Sequence, residues 1–288
     1  MRGLNLALVA ACTLAVAAPA SAEPKQLWEL TGIKTPESAV ADLTSGVIYV
    51  SSIDGKPLDK DGNGFISQVS LDGRMIKADW ITGLDGPKGL ALRKGKLYVA
   101  DIDQLVEIDV KEGKIIKKYP AAGAVFLNDV VVSSDDKVFV SDTGTDTIWQ
   151  LADGKFESWL KDKALAGPNG LLVQGDQLIV ASFGPMGEAG PTGPGPLLSV
   201  GLADKAIKPF ADGKALGNLD GLEALDATHF LVTDYMAGGL FTIDAETGKM
   251  DKLLTLPTGS ADFTYIAASK TVLIPLMNDN KLVAYKIE

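Results

Sequence analysis

Six polar residues, Glu37, Lys88, Asn128, Asn169, Asp220 and Asp262, recur at separations of 51, 40, 41, 51 and 42 residues, each shortly before an apolar, β-branched run. Three carboxylates, two carboxamides and one ammonium gathered in one place would be unfavourable unless something neutralised them. Oxygen donors without sulfur or imidazole select a hard cation. Calcium suits such a set better than magnesium, because several protein oxygens of flexible geometry are on offer and magnesium prefers to retain its waters. Taken singly, the Asn169-Gly170 and Asp220-Gly221 pairs read as turn formers. The six-fold register is what points to a site.

Something must bring these residues together, and the runs that follow them say what. Glu37 leads to Val47-Ile48-Tyr49-Val50, Lys88 to Leu97-Tyr98-Val99, Asn128 to Val138-Phe139-Val140, Asn169 to Leu178-Ile179-Val180, Asp220 to Phe230-Leu231-Val232 and Asp262 to Val272-Leu273-Ile274. From each polar residue to the end of its run the offset is 13, 11, 12, 11, 12 and 12. The underlying unit is about 41 residues, with insertions of roughly ten in the first and fourth copies, which is the size of a four-stranded propeller blade. Third strands are expected over 66–70, 105–109, 147–151, 197–200, 240–244 and 281–285, followed by hairpin turns such as Leu71-Asp72-Gly73 and Glu246-Thr247-Gly248. Helical periodicity is nearly absent. The sixth copy runs out after three strands, while Leu27-Trp28-Glu29-Leu30 stands alone before the first. The spacing therefore predicts an all-β, six-bladed β-propeller, a single domain over residues 23–288. Its N-terminal strand completes the last blade and closes the ring, since an unclosed seam would leave pairing edges exposed.

Composition narrows the chemistry. Arg2, an Ala/Leu/Val stretch and Ala20-Ser21-Ala22 form the pattern of a secretory signal over residues 1–22, so the expected location is periplasmic or secreted. Val9-Ala10-Ala11-Cys12 also fits a lipoprotein acylation pattern, after a rather short apolar run. Cys12 is the only cysteine, so cleavage after Ala22 leaves no thiol or disulfide chemistry. The net charge of −10 becomes −11 once Arg2 is lost, and no basic stripe interleaved with aromatics occurs. Nucleic acid and membrane insertion are excluded as partners on that ground, and a small molecule acting on a monomer is expected. His229, the only histidine, lies far along the chain from the polar series, which argues against a Ser-His-Asp triad. The Gly/Pro segment 184–196 lacks the helix that a phosphate cradle requires. Strand direction returns that segment to the face of the polar series, as a substrate lid or as a plain solvent loop.

The initiating motifs Pro36-Glu37-Ser38, Leu127-Asn128-Asp129, Pro168-Asn169-Gly170 and Leu219-Asp220-Gly221 resemble those of the six-bladed gluconolactonase, regucalcin and senescence-marker-protein family, with organophosphatases and paraoxonases more distant. The resemblance spans residues 26–288. It implies that Glu37, Asn169, Asp220 and Asn128 bind a divalent metal, usually calcium, at the channel mouth. It also implies that Asn128 serves as ligand or substrate contact. Two departures stand out: Ser38 and Val130 replace glycines common in the family. Lys88 is also a feature of this chain, and reads either as a fixed charge that orients an anionic substrate or as an ion-pair partner of Glu37 or Asp262.

The expected activity is a calcium-dependent hydrolysis of a small, sugar-derived lactone or ester. Asp220 would be the catalytic base, and Lys88, Asp262 and Asn128 would contact the substrate. The alternatives are a non-enzymatic periplasmic propeller that binds a ligand or protein around a structural metal, and a scaffold for a redox or export partner. A second calcium is conceivable at Asp59, Asp61 and Asn63, the first half of an EF-hand-like loop. Position twelve of that loop would be Ser70 rather than Glu and no helices flank it, so an ordinary EF-hand is rejected and a solvated turn competes. Trp80, Trp149 and Trp159 are expected to pack between blades.

Overall fold

A computed structural model describes residues 23–287 and contains strands and short 3-10 turns only. The signal-peptide and acylation readings fall outside these residues. No helix among them is long and apolar enough to cross a membrane.

Six four-stranded antiparallel sheets form the blades of a β-propeller. Five of them are continuous in sequence. Their inner strands are Pro36–Asp42, Pro87–Arg93, Leu127–Val132, Pro168–Gln174 and Leu219–Ala224. Their second strands are Val47–Ser52, Lys96–Asp101, Val138–Asp142, Gln177–Ser182 and His229–Asp234. The sixth blade joins Thr264–Ile266, Thr271–Leu276 and Lys281–Lys286 to the N-terminal strand Lys25–Thr31, which pairs Glu29 with Val283 and Leu30 with Leu282. The ring is thus closed by chain ends that are far apart in sequence, as the unpaired opening strand implies.

Each pair of neighbouring blades encloses one apolar cluster, because alternate side chains of a blade face opposite neighbours. Blades one and two share Tyr49, Ile66, Leu97 and Val106. Blades six and one share Ile48, Val50, Leu273 and Leu282, with Trp28 packed on the outside. The tryptophans take the expected places: Trp80 lies 4.8 Å from Tyr49, Trp149 is buried between blades two and three, and Trp159 stands edge-on to Phe139. Trp28 adds a tether across the seam, donating from Nε1 to the Leu71 carbonyl at 3.0 Å.

The inner strands carry an irregularity that positions the site. In all five continuous blades the pairing slips at the same point: Pro36 opposes Ser52 but Ala39 opposes Val50, and the slip recurs at 87/90, 127/130, 168/171 and 219/222. Two residues on the inner strand therefore face one on its partner. A bulge of this kind re-aims consecutive side chains that regular alternation would send to opposite faces. Where the partner residue carries a hydroxyl, it accepts from the bulged amide, as Ser51 does from Ser38 N at 2.9 Å, Ser141 from Asp129 N at 2.8 Å and Thr233 from Gly221 N at 2.9 Å. The bulge thus repeats with its own satisfaction of the freed donor.

The glycines beside Asn169 and Asp220 are not turn residues. A Cβ on Gly170 would meet the Asp220 carbonyl oxygen at 2.0 Å, and one on Gly221 would meet the Phe263 amide nitrogen at 2.8 Å. Six inner strands converge on the axis, and the absence of a side chain lets one backbone pass the next.

Candidate active site

The bulges place the first residue of each pair on the floor of a cavity of about 530 Å³ at one end of the central channel. Glu37, Lys88, Asn128, Asn169 and Asp220 all line it, so five of the six polar residues expected to converge do so. All five are buried.

Asp262 is the exception. Thr264 pairs with Leu273 in the sixth blade, so its inner strand brings Ala261, not Asp262, to the position that Glu37 holds in the first. The isolated bridge between Ser260 and Leu276 matches Pro36 opposite Ser52 and confirms that register. The sixth floor position is therefore a buried methyl group. Asp262 lies one layer deeper, where it accepts from the Ser38 hydroxyl, and it faces the opposite mouth of the channel together with Asp129. Its expected role in substrate contact is corrected accordingly.

The two carboxamides of the floor are held by neighbouring strands. The Asn128 amide donates to Thr143 Oγ1 at 3.1 Å, and that hydroxyl donates to the Pro168 carbonyl of the next blade at 2.8 Å. The Asn169 amide donates to the Leu219 carbonyl. Both carboxamides are thus tied through their NH2 groups to protein acceptors while lining the cavity. Glu37 Oε2 and Asp220 Oδ1 are buried without any hydrogen-bond partner. Such atoms are rare in folded proteins and costly.

The electrostatics follow from this crowding. Burial, reinforced by Asp220 and Asp262, pushes the Glu37 carboxyl well above the usual range, and Lys88 offsets part of the rise. Burial and Asp262 do the same to Asp220, against a compensating contact from the Asn169 amide. In the deeper layer burial raises Asp129, with Asp262 adding to it, and burial brings Asp262 itself to about 6. A cation among these carboxylates would relieve desolvation and mutual repulsion together.

Lys88 makes no ion pair with Glu37 or Asp262, contrary to one of its two expected roles. Its Nζ donates to the carbonyls of Pro57 at 3.0 Å and Gly86 at 2.8 Å, and lies 4.8 Å from the centre of the Phe126 ring. Burial lowers its pKa to about 8, with Glu37 and Asp101 resisting. A third N–H remains for the cavity.

Both insertions reach this face. Pro57 from the first and Phe183, Met186 and Pro191 from the second line the same cavity, so the 184–196 segment is a cavity wall rather than a plain solvent loop. A short hairpin, Met186–Gly187 with Gly190–Pro191, stiffens it, and the Asn218 amide anchors it through the Phe183 carbonyl at 2.6 Å. Asp59, Asp61 and Asn63 lie exposed nearby. Asp59 faces Lys56 at 3.9 Å, and Asp61 Oδ1 caps the Asn63 amide at 3.0 Å. Among the described residues no group of three or more His, Cys, Asp or Glu is arranged to hold a metal, so a cation on the floor would need its two carboxamides as well as its two carboxylates. His229 bonds Asp226 on the surface and lies away from the cavity.

Four buried aspartates, Asp101, Asp142, Asp129 and Asp234, escaped the sequence reading. Asp101 and Asp142 end second strands and accept the amides of the incoming inter-blade turn, at 2.8 Å from Gly86 and 3.0 Å from Phe126. Asp129 accepts the Leu171 amide of the neighbouring blade at 2.6 Å. The recurrence of Asp after a β-branched run was the available signal for the first two.

No family model matches the chain, and no curated protein does. Among solved structures, a streptogramin B lyase superposes with a TM-score of 0.64 at 13% identity, over 92% of this chain and 97% of the other. A catalytically inactive variant of virginiamycin B lyase from Staphylococcus aureus with quinupristin gives 0.60 at 13% identity, over 92% and 100%. The selenomethionine form of that enzyme gives 0.62 at 13%, over the same shares. These are six-bladed propellers, and so is this chain. At that identity the propeller likeness is one of fold, and function must be argued from the site.

Proposed function

We propose that the protein is an exported, calcium-dependent hydrolase of small lactones or esters, akin in site design to the gluconolactonase and regucalcin family. The observation that carries this reading is the pair of buried, unpartnered carboxylate oxygens, Glu37 Oε2 and Asp220 Oδ1, on a floor that also carries the side chains of Asn128 and Asn169. Glu37, Asn128, Asn169 and Asp220 would hold the ion. Calcium bound there would supply a charge that neutralises the two carboxylates and polarises an ester carbonyl.

The chain's own residues account for the rest. Asp220 takes a proton from the attacking water, whose oxygen adds to the carbonyl carbon. The acyl–oxygen bond breaks, and the proton passes to the departing oxygen. Lys88 offers its remaining N–H to a substrate oxygen, fixed in direction by Pro57 and Gly86. The apolar walls exclude water other than the reacting molecule. Turnover of a panel of lactones and aryl esters, with calcium and with chelator, tests the reading: hydrolysis that chelation abolishes is expected, and no hydrolysis of any member overturns it.

A second reading is a propeller that binds a ligand or protein without turning it over, around a structural metal. Lys88 favours it, because a fixed ammonium beside Glu37 already supplies part of the neutralising charge. It requires that the panel stay intact while a ligand still raises the melting temperature. Residues 1–22 support a periplasmic or secreted location, and an exported chain beginning at Glu23 is the expected product.

A further inference from the structure

The floor of the cavity is polar, but its walls are not. Phe126, Phe183, Tyr235 and the methionines Met186, Met236 and Met277 rise around the five floor residues. Phe183 and Tyr235 meet edge to face at 5.9 Å, one from the blade-four insertion and the other from the turn after the blade-five second strand. The Tyr235 hydroxyl points to the Met277 sulfur at 3.5 Å. A volume of about 530 Å³ lies within the ~300–1,000 Å³ of pockets that enclose ligands of drug size.

These walls decide what kind of acyl or alkoxy group fits. A polyhydroxylated ring would lose its water against aromatic and thioether surfaces that return almost no hydrogen bonds, and each hydroxyl left unpaired there is costly. An alkyl or aryl group gains from the same surfaces. Three methionines on separate elements also give walls that adjust to shape, since an unbranched thioether packs in many rotamers.

We propose that the substrate of this site is an apolar lactone or ester, one that carries a long alkyl or an aryl substituent, rather than the sugar-derived lactone that the sequence resemblance implies. The proposal rests on the hydrolase reading for its chemistry, and on the cavity walls alone for its specificity. The ester carbonyl lies over Glu37, Asn169 and Asp220, and the substituent extends past Phe183 and Tyr235 toward the rim at Met236, which is 51% exposed.

Competing hydrolysis and binding measurements on the full mature chain with calcium test it. The probes are gluconolactone, an unsubstituted δ-lactone and a δ-lactone bearing a long alkyl chain. A kcat/KM at least about tenfold higher for the alkyl-substituted lactone than for gluconolactone is expected, the scale set by a few buried methylenes. Gluconolactone hydrolysed as well or better overturns the proposal. Met236→Gln, at the rim and outside the core, should raise KM for the alkyl lactone more than for the unsubstituted one, and an equal effect on both counts against it. Should no lactone be hydrolysed, the hydrolase reading fails by itself. The specificity is then read from melting temperature: a larger rise with the alkyl lactone than with gluconolactone sustains it, and no difference overturns it too.

Discussion

The Ser38 hydroxyl donates to the Asp262 carboxylate at 2.5 Å, joining the first blade to the last one layer beneath the cavity floor. That bond shows how little room the axis leaves. Side chains occupy this layer at Ser38, Asp129 and Asp262, and glycine does at 89, 170 and 221, where a Cβ would strike a neighbouring backbone. The upper layer can then hold five larger polar groups because half of the lower layer is empty of side chain.

Asp220→Asn keeps an oxygen for a cation and removes the proposed base. Hydrolysis should fall by about 10²-fold or more, while calcium affinity measured by titration calorimetry is only weakened. Unchanged turnover would remove Asp220 from the mechanism.

Lys88→Met takes a positive charge from beside Glu37 without changing the length of the side chain much. Since Lys88 would oppose a cation on the floor, calcium should bind the variant more tightly, roughly tenfold, even as turnover drops. Weaker calcium binding in the variant would show that Lys88 acts by shaping the loop at Pro57 instead.

Gly170→Ala should destabilise the fold by about 1–3 kcal/mol, because the added methyl meets the Asp220 carbonyl and one strand must move. Denaturant unfolding measures this. On the proposed calcium reading the same variant should lose calcium affinity, since the displaced strand carries Asn169 or Asp220.

At the opposite mouth of the channel, Glu223 accepts from the Tyr265 amide at 3.1 Å and from Thr264 at 3.2 Å, and burial raises its pKa to about 7. The folded chain holds this proton where the unfolded chain has released it. Its contribution is therefore complete at low pH, in the range where even the unfolded carboxyl is protonated, and is lost as pH rises through about 7. In metal-free protein the melting temperature should fall across that window, and Glu223→Gln should make the fall shallower.

Deleting residues 23–31 leaves the Lys281–Lys286 strand without its outer partner and removes Trp28 from the seam. A lower melting temperature is expected, together with self-association through the bared strand edge, visible by light scattering.

Most of this arrangement was legible in the residues themselves, for reasons that can be named. The second strands of the blades are buried on both faces, so they read as unbroken apolar runs, and their period reveals six units and the stray opening strand. The floor residues were legible because polar groups ahead of such runs are out of place unless they serve a site. The sixth position failed for the converse reason. Ala261 looks like any core residue, and Asp262 stands 12 residues from Ile274 as Asp220 stands 12 from Val232. Only strand pairing, Thr264 with Leu273 and Ser260 with Leu276, distinguishes the two registers. Asp129 was passed over beside Asn128 because strand alternation sends neighbours apart, and the bulge that overrides alternation leaves no mark on composition. The cavity walls were equally hidden, since Phe183, Tyr235 and Met277 come from three different blades.

The pairing of Lys25–Thr31 with Lys281–Lys286 sets an order of events during biosynthesis. A chain emerging from the ribosome holds its opening strand unmatched until the final hairpin has been made, so circularisation comes last and joins segments of the greatest sequence separation. Until that moment two sticky margins remain available to other chains. Shielding those margins during elongation makes the seam, rather than the cavity floor, the place where yield is decided.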